Sequence, residues 1–333
     1  MEIKQIVLAS RPIGIPSAEN FRMEKAELPD PEEGEVLLQS WYFSVDPYMR
    51  GRMSAAKSYA ASYETDKPVR GGVVAKVIKS RSSLFEAGDS VTGNLPWATY
   101  AVENEGKITK VDTKKYSPGY YLGVLGMPGY TAFIGMNDIC NPVAGDTAVI
   151  SGAAGAVGLI AGQIAAIKGC RVIGIAGTDE KCHELKNHFG FNEALNYKTS
   201  KSLRKELAQL CPEGVDVYFD NVGGEITESV ASNLDFHARI ALCGQISQYN
   251  NTKPYIGYSI LPHLLTRSVM MQGFIVSNYS NRFPEAMASL SGWLDAGKIK
   301  FTETVVDGFE NLPEAFLGLF SGKNLGKMLV RVN

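Results

Sequence analysis

The sequence predicts an α/β protein with a β-rich first domain and a second domain built on a doubly wound parallel sheet. The chain has 333 residues, more than one hydrophobic core usually accommodates, so two domains are expected. Up to about residue 125, short β-branched and aromatic runs are separated by turn residues, as in a β-rich unit. From residue 126 to about 300, apolar strand-like runs alternate with helix-like runs, the pattern of a parallel sheet covered by helices.

The first domain, residues 1–125, contains the strand-like runs "EVLLQSWYFSVD", "GGVVAKVIKS" and "ATYAVE". The turn-rich stretches "LPDPEEGE" and "FEAGDSVTGN" separate them. Glycine, proline and aspartate at these breaks favour turns because they tolerate or fix the backbone angles that turns require.

The second domain, residues 126–300, has strands predicted over "DTAVISG", "RVIGIAG", "EALNY", "GVDVYFDNVG", "ARIALCGQ" and "GFIVSN". Helices such as "AVGLIAGQIAAIKG" and "DEKCHELKNHFG" lie between them. The tail, residues 301–333, ends in the apolar run "KMLVRV", which we expect to return to the first domain.

Charge and cysteine content narrow the class of protein. A net charge of −2 gives no reason to expect a nucleic-acid partner. The five cysteines show no C-x-x-C spacing and are odd in number, which favours a reducing compartment. The sequence shows neither a signal-peptide pattern nor a long apolar span, so we predict a cytoplasmic protein with no membrane partner.

A glycine-rich stretch follows the first strand of the second domain. In "VISGAAGAVGL", Gly152, Gly155 and Gly158 recur every third residue between an apolar strand and an alanine-rich helix. Small residues there let a pyrophosphate approach the backbone at the helix N-terminus. The alternative is a tight strand-to-helix turn packed on small residues, but the surrounding alternation of strands and helices favours a dinucleotide site.

The end of the next strand indicates which dinucleotide binds. Where NAD-binding proteins place an acidic residue on the ribose, this chain has Thr178, followed by Asp179 and Glu180. The absence of a carboxylate at the strand tip, with Lys181 nearby, favours NADP(H) over NAD(H). A solvated helix lysine is the alternative for Lys181, and an ordinary strand-end tyrosine is the alternative for Tyr197.

Several motifs together resemble a known family. "FSVDPYMRGRM", "GMPGYTAF", "SGAAGAVG", "DNVGGE", "LCGQISQYN" and "GKNLGKMLV" are similar to the zinc-independent medium-chain dehydrogenase/reductases, in the prostaglandin reductase and leukotriene hydroxydehydrogenase branch that includes bacterial curcumin-reductase-like enzymes. The resemblance implies a GroES-like catalytic domain, a Rossmann domain that binds NADPH, and a homodimer. It also implies reduction of the carbon–carbon double bond of α,β-unsaturated ketones and aldehydes.

The resemblance also implies cofactor-binding positions. The cradle and first helical turn are Gly152, Ala153, Ala154, Gly155, Ala156 and Val157, with Lys181 and Tyr197 at the adenosine end. The remaining positions are Asn221, Cys243, Gly244, Gln245, Ile246, Ser247, Tyr249, Phe274, Ile275, Val276 and Asn324, with Met127 and Thr131 near the nicotinamide. For residues 274–276 an ordinary buried strand is an equally good interpretation.

The ligands of a zinc-dependent relative are missing from this sequence. The cysteine expected in "YFSVDPY" and the Gly-His-Glu expected near "RGGVV" are both absent, and the four histidines lack ligand spacing. We therefore predict no metal.

The expected chemistry needs a hydrogen-bond donor. Hydride delivery to the β-carbon of an enone develops negative charge on the carbonyl oxygen, which a neutral tyrosine hydroxyl can stabilise. Tyr48 and Tyr255 are the candidates, with Tyr258 as an alternative to Tyr255. The family resemblance also implies the ribose 2′-hydroxyl of the cofactor as a candidate donor, in which case the tyrosines would orient the substrate.

The arginines after Tyr48 and the overall function each allow more than one interpretation. Arg50 and Arg52 suit an acidic substrate tail, or ordinary pairing with surface carboxylates. A quinone reductase of the same superfamily, and a dinucleotide-binding protein with little turnover, are the other functions to test.

Overall fold

The computed structural model describes residues 1–332, which form two compact units. The first unit comprises Met1–Leu122 and Glu303–Asn333, and the second comprises Gly123–Thr302.

The first part of the first unit is built from seven strands and one short helix. In chain order these are β1 (Glu2–Leu8), β2 (Phe21–Glu27), β3 (Glu35–Ser44), α1 (Tyr48–Arg52), β4 (Arg70–Ser80), β5 (Ser90–Pro96), β6 (Tyr100–Asn104) and β7 (Ile108–Lys110). Strands β1 and β2 form an antiparallel ribbon. Strand β3 pairs with β4 and β6, and β5 pairs with β4 and β7, all antiparallel. Val36 and Leu38 are fully buried, whereas Leu37 is half-buried and Gln39 is exposed, so one face of β3 forms core.

The second unit alternates strands and helices. Its elements are α2 (Met127–Ile134), β8 (Thr147–Ser151), α3 (Ala156–Ile167), β9 (Arg171–Ala176), α4 (Asp179–His188), β10 (Glu193–Asn196), α5 (Leu203–Leu210), β11 (Val215–Asp220), α6 (Gly224–Ala231), β12 (Leu234–Leu242), α7 (Leu261–Thr266), β13 (Met270–Gly273) and α8 (Phe283–Asp295).

Six parallel strands form the sheet of the second unit, in the order β10-β9-β8-β11-β12-β13. Ala148, Val149 and Ile150 of the central strand are fully buried, as expected for a sheet covered on both faces. The chain order reverses between β8 and β11. In open parallel sheets, the crevice at the carboxyl ends of two such strands is the usual ligand site.

The strand predicted over "GFIVSN" is wrong beyond its first residue. Strand β13 ends at Gly273, and Val276–Arg282 forms 3₁₀ turns. Phe274 is buried, with its ring edge-on to Phe219 at 6.4 Å between centroids. Burial of this ring, rather than continued pairing, accounts for the apolar run.

The chain then adds β14 (Glu303–Asp307), α9 (Leu312–Ser321) and β15 (Lys327–Arg331) to the first unit. Strand β15 lies between β14, to which it is parallel, and β3, to which it is antiparallel. A β-rich unit and a unit with a parallel sheet are the architecture that the sequence predicts, so the fold class is confirmed. Among residues 1–332, no helix is long and apolar enough to cross a bilayer.

Candidate cofactor and active site

The loop after β8 is shaped by its glycines. Gly152 has φ +57°, and the Gly155 N–H donates to the Gly152 carbonyl oxygen at 2.9 Å. A Cβ added to Gly158 would lie 2.4 Å from that same oxygen. No side chain caps the N-terminus of α3, so its first N–H groups remain for a ligand. The loop therefore fits a pyrophosphate, which needs close backbone approach at a helix N-terminus.

The other predicted cradle residues pack around this turn. Ala153 and Ala154 are buried, and the Ala153 N–H donates to the Ile175 carbonyl oxygen at 3.1 Å. Ala156 and Val157 form the half-buried first turn of α3. Their small side chains leave the glycine loop accessible.

Asn221 connects the two strands at which the sheet order reverses. Its side-chain Nδ2 donates to the Ser151 carbonyl oxygen at 2.7 Å. Its backbone N–H donates to Ser151 Oγ at 2.9 Å. The ends of β8 and β11 are thereby held at a fixed separation beside Gly152.

Asp220, a residue without a role predicted from sequence, organises this region. Its carboxylate is fully buried and accepts hydrogen bonds from Ser151 Oγ at 3.0 Å and Thr227 Oγ1 at 2.6 Å. Tyr218 and the backbone N–H groups of residues 222 and 223 donate to it as well. A buried carboxylate is tolerated only with such partners. The only sequence signal was a polar residue at the end of each of the two strands.

The segment after β12 folds over the β11 loop. The backbone N–H groups of Cys243 and Gly244 both donate to the Asp220 carbonyl oxygen, at 2.8 and 3.0 Å. Ser247 donates to the Val222 carbonyl oxygen through its N–H, at 3.1 Å, and its Oγ, at 2.6 Å.

Other predicted residues complete that segment. The Ile246 N–H donates to the Asn221 carbonyl oxygen at 3.4 Å, and Gln245 N–H donates to the Tyr249 hydroxyl at 3.3 Å. Burial raises the pKa of the Cys243 thiol to about 12, so this thiol stays protonated near neutral pH.

The predicted adenosine end lies at the carboxyl end of β9. Thr178 caps α4 by accepting from the Lys181 N–H at 3.2 Å. The Tyr197 N–H donates to the Ala176 carbonyl oxygen at 3.1 Å. A Cβ added to Gly177 would lie 3.2 Å from Tyr197 Cε1, so the tyrosine ring covers the end of the strand.

The remaining predicted cofactor residues, including Met127 and Thr131 near the nicotinamide, are distributed over several elements. Met127 begins α2 with 40% of its surface exposed, and Thr131 Oγ1 donates to its carbonyl oxygen at 2.7 Å. Phe274 is buried, whereas Ile275 and Val276 are half-buried. Asn324 lies in the first unit between α9 and β15, where its Nδ2 donates to the Gly326 carbonyl oxygen at 2.8 Å.

Tyr48 is the first residue of α1 in the first unit. Its ring packs against that unit's hydrophobic core, and burial raises its pKa well above the usual range. The structure gives its hydroxyl no hydrogen-bond partner within residues 1–332. The hydroxyl is therefore neutral and has its hydrogen free to donate to a ligand.

The two arginines that follow Tyr48 hold neighbouring loops. Arg50 Nη2 donates to the Gly14 carbonyl oxygen at 2.9 Å. Arg52 Nε donates to the Ala61 carbonyl oxygen at 2.9 Å, and its guanidinium lies 4.2 Å from the Tyr63 ring centroid. Arg52 therefore contacts a carbonyl oxygen and an aromatic ring, rather than the surface carboxylate that was one of its two predicted partners.

Tyr255 belongs to the second unit and has a partner. Its hydroxyl donates to Glu228 Oε1 on α6 at 2.7 Å. That carboxylate raises the pKa of Tyr255 to about 12. Tyr258, the alternative, is 88% exposed. Tyr255 would have to leave Glu228 before its hydrogen could reach a substrate.

The chain resembles known oxidoreductases along its whole length. Residues 4–111 match the family described as N-terminal domain of oxidoreductase, and residues 156–292 match the family described as zinc-binding dehydrogenase. The NADPH-dependent curcumin reductase of Escherichia coli is 41% identical, with 98% of this chain and 96% of that protein covered. Prostaglandin reductase 1 of Bos taurus is 43% identical, with 96% of each covered.

This chain belongs to the medium-chain dehydrogenase/reductase superfamily, in the branch of the prostaglandin and curcumin reductases. The resemblance predicted from sequence is confirmed. A crystal structure of the family member CurA from Vibrio vulnificus, in complex with NADPH, superposes with a TM-score of 0.95 at 46% identity, covering 99% of both chains.

One of the two matching families is described by zinc binding. Within the described residues 1–332, no three histidine, cysteine, aspartate or glutamate side chains lie together as metal ligands. The five cysteines are free, and four of them are buried.

Proposed function

We propose that this chain reduces the carbon–carbon double bond of α,β-unsaturated ketones and aldehydes with NADPH, without zinc. The observation that carries the proposal is the glycine cradle after β8, linked through Ser151 to Asn221 at the point where the sheet order reverses. Kinship with the curcumin and prostaglandin reductases supports the substrate class.

NADPH is the cofactor we assign, and when bound it supplies the hydride. The backbone of residues 152–155 and the first turn of α3 would hold its pyrophosphate. Lys181 and Tyr197 would hold the adenosine phosphate, because the position after Gly177 carries Thr178 rather than a repelling carboxylate. Within the second unit, the nicotinamide half would be lined by Asn221, Cys243, Gly244, Gln245, Ile246, Ser247, Tyr249, Phe274, Ile275, Val276, Met127 and Thr131. Asn324, in the first unit, is the remaining predicted cofactor position.

The chain's own contribution to chemistry is a hydrogen-bond donor for the substrate carbonyl. As the double bond is reduced, negative charge develops on that oxygen, and a preorganised donor is most valuable there. We assign this role to Tyr48, because its hydroxyl is protonated at neutral pH and makes no other hydrogen bond within residues 1–332. Tyr255 would orient the substrate or the loop that carries it, because its hydroxyl is engaged by Glu228.

A turnover assay tests the proposal. EDTA-treated protein is mixed with NADPH or NADH and with enones, enals and quinones, and loss of reduced nicotinamide is followed by absorbance. We expect NADPH-selective turnover of enones and enals, with the saturated carbonyl compound as product. Turnover of quinones alone, or tight NADPH binding without turnover of any acceptor, would contradict the proposal.

We also propose a homodimer formed through β13. This strand is at the edge of its sheet, and its outer side has no strand partner among the described residues. Phe236 of the neighbouring strand β12 is 63% exposed, and Leu261 and Leu265 of α7, the helix that precedes β13, are 68% and 81% exposed. A second copy would cover this apolar surface. Light scattering should give twice the 36.1 kDa chain mass, and a mass of one chain would contradict the dimer.

We propose the cytoplasm as the location of the protein. All five cysteines are free thiols, which supports a reducing compartment. Cell fractionation that recovers the protein with membranes or outside the cell would contradict this location.

A further inference from the structure

A second lysine lies beside the predicted adenosine-binding residues. The turn after β10 carries Tyr197 and Lys198 over the end of β9. A Cβ added to Gly177 would lie 3.4 Å from Lys198 Cε and 3.2 Å from Tyr197 Cε1. Both side chains therefore pack against the same glycine. Burial, and then the nearby Lys198 ammonium, lower the pKa of Lys181. The two ammonium groups are therefore close enough to repel each other.

Asn196 fixes the position of this turn. Its Oδ1 accepts from the Lys198 backbone N–H at 3.0 Å. Its Nδ2 donates to Asp179 Oδ1, at the first residue of α4, at 2.7 Å. One side chain thus joins the turn to the N-terminus of α4 and engages the acidic group nearest to the strand tip.

The charges around this turn suit a dianion. Within residues 1–332, no carboxylate forms an ion pair with the Lys198 ammonium. Two neighbouring cations repel each other, and a phosphate between them offsets that repulsion with two charge-assisted hydrogen bonds. A ribose 2′-hydroxyl carries no charge and would not relieve the repulsion.

We propose that Lys198 is a second cation for the adenosine 2′-phosphate of NADPH, and that Asn196 is the positioning residue that holds Lys198 there. The inference rests on the proposed function, because it requires NADPH to be the cofactor. Under this proposal, Lys198 and Lys181 together determine the preference for NADPH over NADH.

Binding measurements on the intact protein test this role without relying on turnover. Dissociation constants for NADPH, NADH, 2′,5′-ADP and 5′-ADP are measured by calorimetry for wild type, Lys198→Gln, Lys198→Arg and Lys205→Gln. Lys205 is an exposed lysine of α5, so its substitution removes an equal charge elsewhere.

We expect Lys198→Gln to weaken the binding of NADPH and 2′,5′-ADP roughly tenfold, because one charge-assisted hydrogen bond is lost. NADH and 5′-ADP should bind as before, Lys198→Arg should retain most affinity, and Lys205→Gln should match wild type. Asn196→Ala should weaken NADPH binding too. Lys198→Gln should reduce NADPH affinity less in the Asn196→Ala background than in wild type, because the lysine has already lost its position.

Two results would overturn the inference, and they differ in what else they affect. If wild type prefers NADPH but Lys198→Gln binds NADPH as tightly as wild type does, the role proposed for Lys198 is wrong, while the proposed cofactor stands. If wild type does not distinguish 2′,5′-ADP from 5′-ADP or NADPH from NADH, both this inference and the proposed cofactor are wrong.

Discussion

Asn221 Nδ2 lies 2.7 Å from the carbonyl oxygen of Ser151 and donates a hydrogen bond to it. Ser151 ends β8 and Asn221 immediately follows β11, and these are the strands between which the sheet order reverses. The bond therefore sets the separation of the two strand ends beside the glycine cradle.

Asn221→Ala should weaken NADPH binding. The substitution leaves the Ser151 carbonyl oxygen without its side-chain donor, which costs about 1–3 kcal/mol when the oxygen is buried. We expect the NADPH dissociation constant to rise roughly tenfold, measured by quenching of protein fluorescence. Asn233→Ala is the matched control, because Asn233 Nδ2 also donates to carbonyl oxygens, those of Ser229 and Arg204, at the start of β12. Equal NADPH affinity in Asn221→Ala and wild type would contradict the assigned role.

Tyr48→Phe should lower kcat while leaving NADPH affinity unchanged. Loss of one preorganised oxyanion donor typically costs about 100-fold in kcat. The comparison variant is Tyr255→Phe, which removes a hydroxyl already engaged by Glu228 and should lower kcat much less. Steady-state kinetics with one enone gives both values. A larger loss in Tyr255→Phe than in Tyr48→Phe would reverse the assignment of the two tyrosines.

Lys327→Met should destabilise the first unit. Lys327 is fully buried, its Nζ donates to the Val45 carbonyl oxygen at 2.9 Å, and it lies 3.2 Å from Asp46 Oδ1. Leaving the buried Asp46 carboxylate unpaired should cost roughly 3–5 kcal/mol. Urea unfolding measures the loss, and the double variant Asp46→Asn with Lys327→Met should recover part of it. A single variant as stable as wild type would show that the ion pair contributes little.

Glu303 should make stability fall as pH rises above its usual pKa. Burial raises the pKa of Glu303 above 4.5, an effect that the Lys327 ammonium opposes, and Oε1 is buried without a hydrogen-bond partner among residues 1–332. Because the folded state holds this proton more tightly, its stabilising contribution is complete below pH 4.5 and is lost as pH rises through the raised pKa.

Glu303→Gln removes this titration. The difference in unfolding free energy between wild type and Glu303→Gln should change with pH from 4.5 upward, in favour of wild type at the acid end. The exposed Glu310 provides the control variant Glu310→Gln, whose difference from wild type should not follow that trend. A difference for Glu303→Gln that is constant with pH would contradict the raised pKa.

Local patterns were sufficient to predict the fold class. Strand β8, the glycine turn and α3 are contiguous in sequence, so apolar periodicity and small residues indicate them directly. The apolar run around Phe274 misled the strand prediction, because a ring buried against Phe219 gives the same composition as a buried strand. Single-sequence patterns do not separate these two cases.

Contacts between residues that are distant in the sequence could not be predicted from it. Asp220 collects donors from the ends of β8 and β11 and from α6, and no spacing rule predicts that convergence. The same holds for Glu228, which engages Tyr255 from 27 residues away. Lys198 stood next to a predicted residue, but only the packing of its turn on Gly177 distinguishes it from a solvated lysine.

The position of deuterium in the product tests the central claim most directly. The protein is given an enone and NADPH deuterated at the transferable C4 position, and the product is analysed by NMR. We predict a saturated ketone with one deuterium at the β-carbon and none on the carbonyl carbon. An allylic alcohol with deuterium on the former carbonyl carbon would contradict it, because the protein would then reduce the carbonyl rather than the double bond.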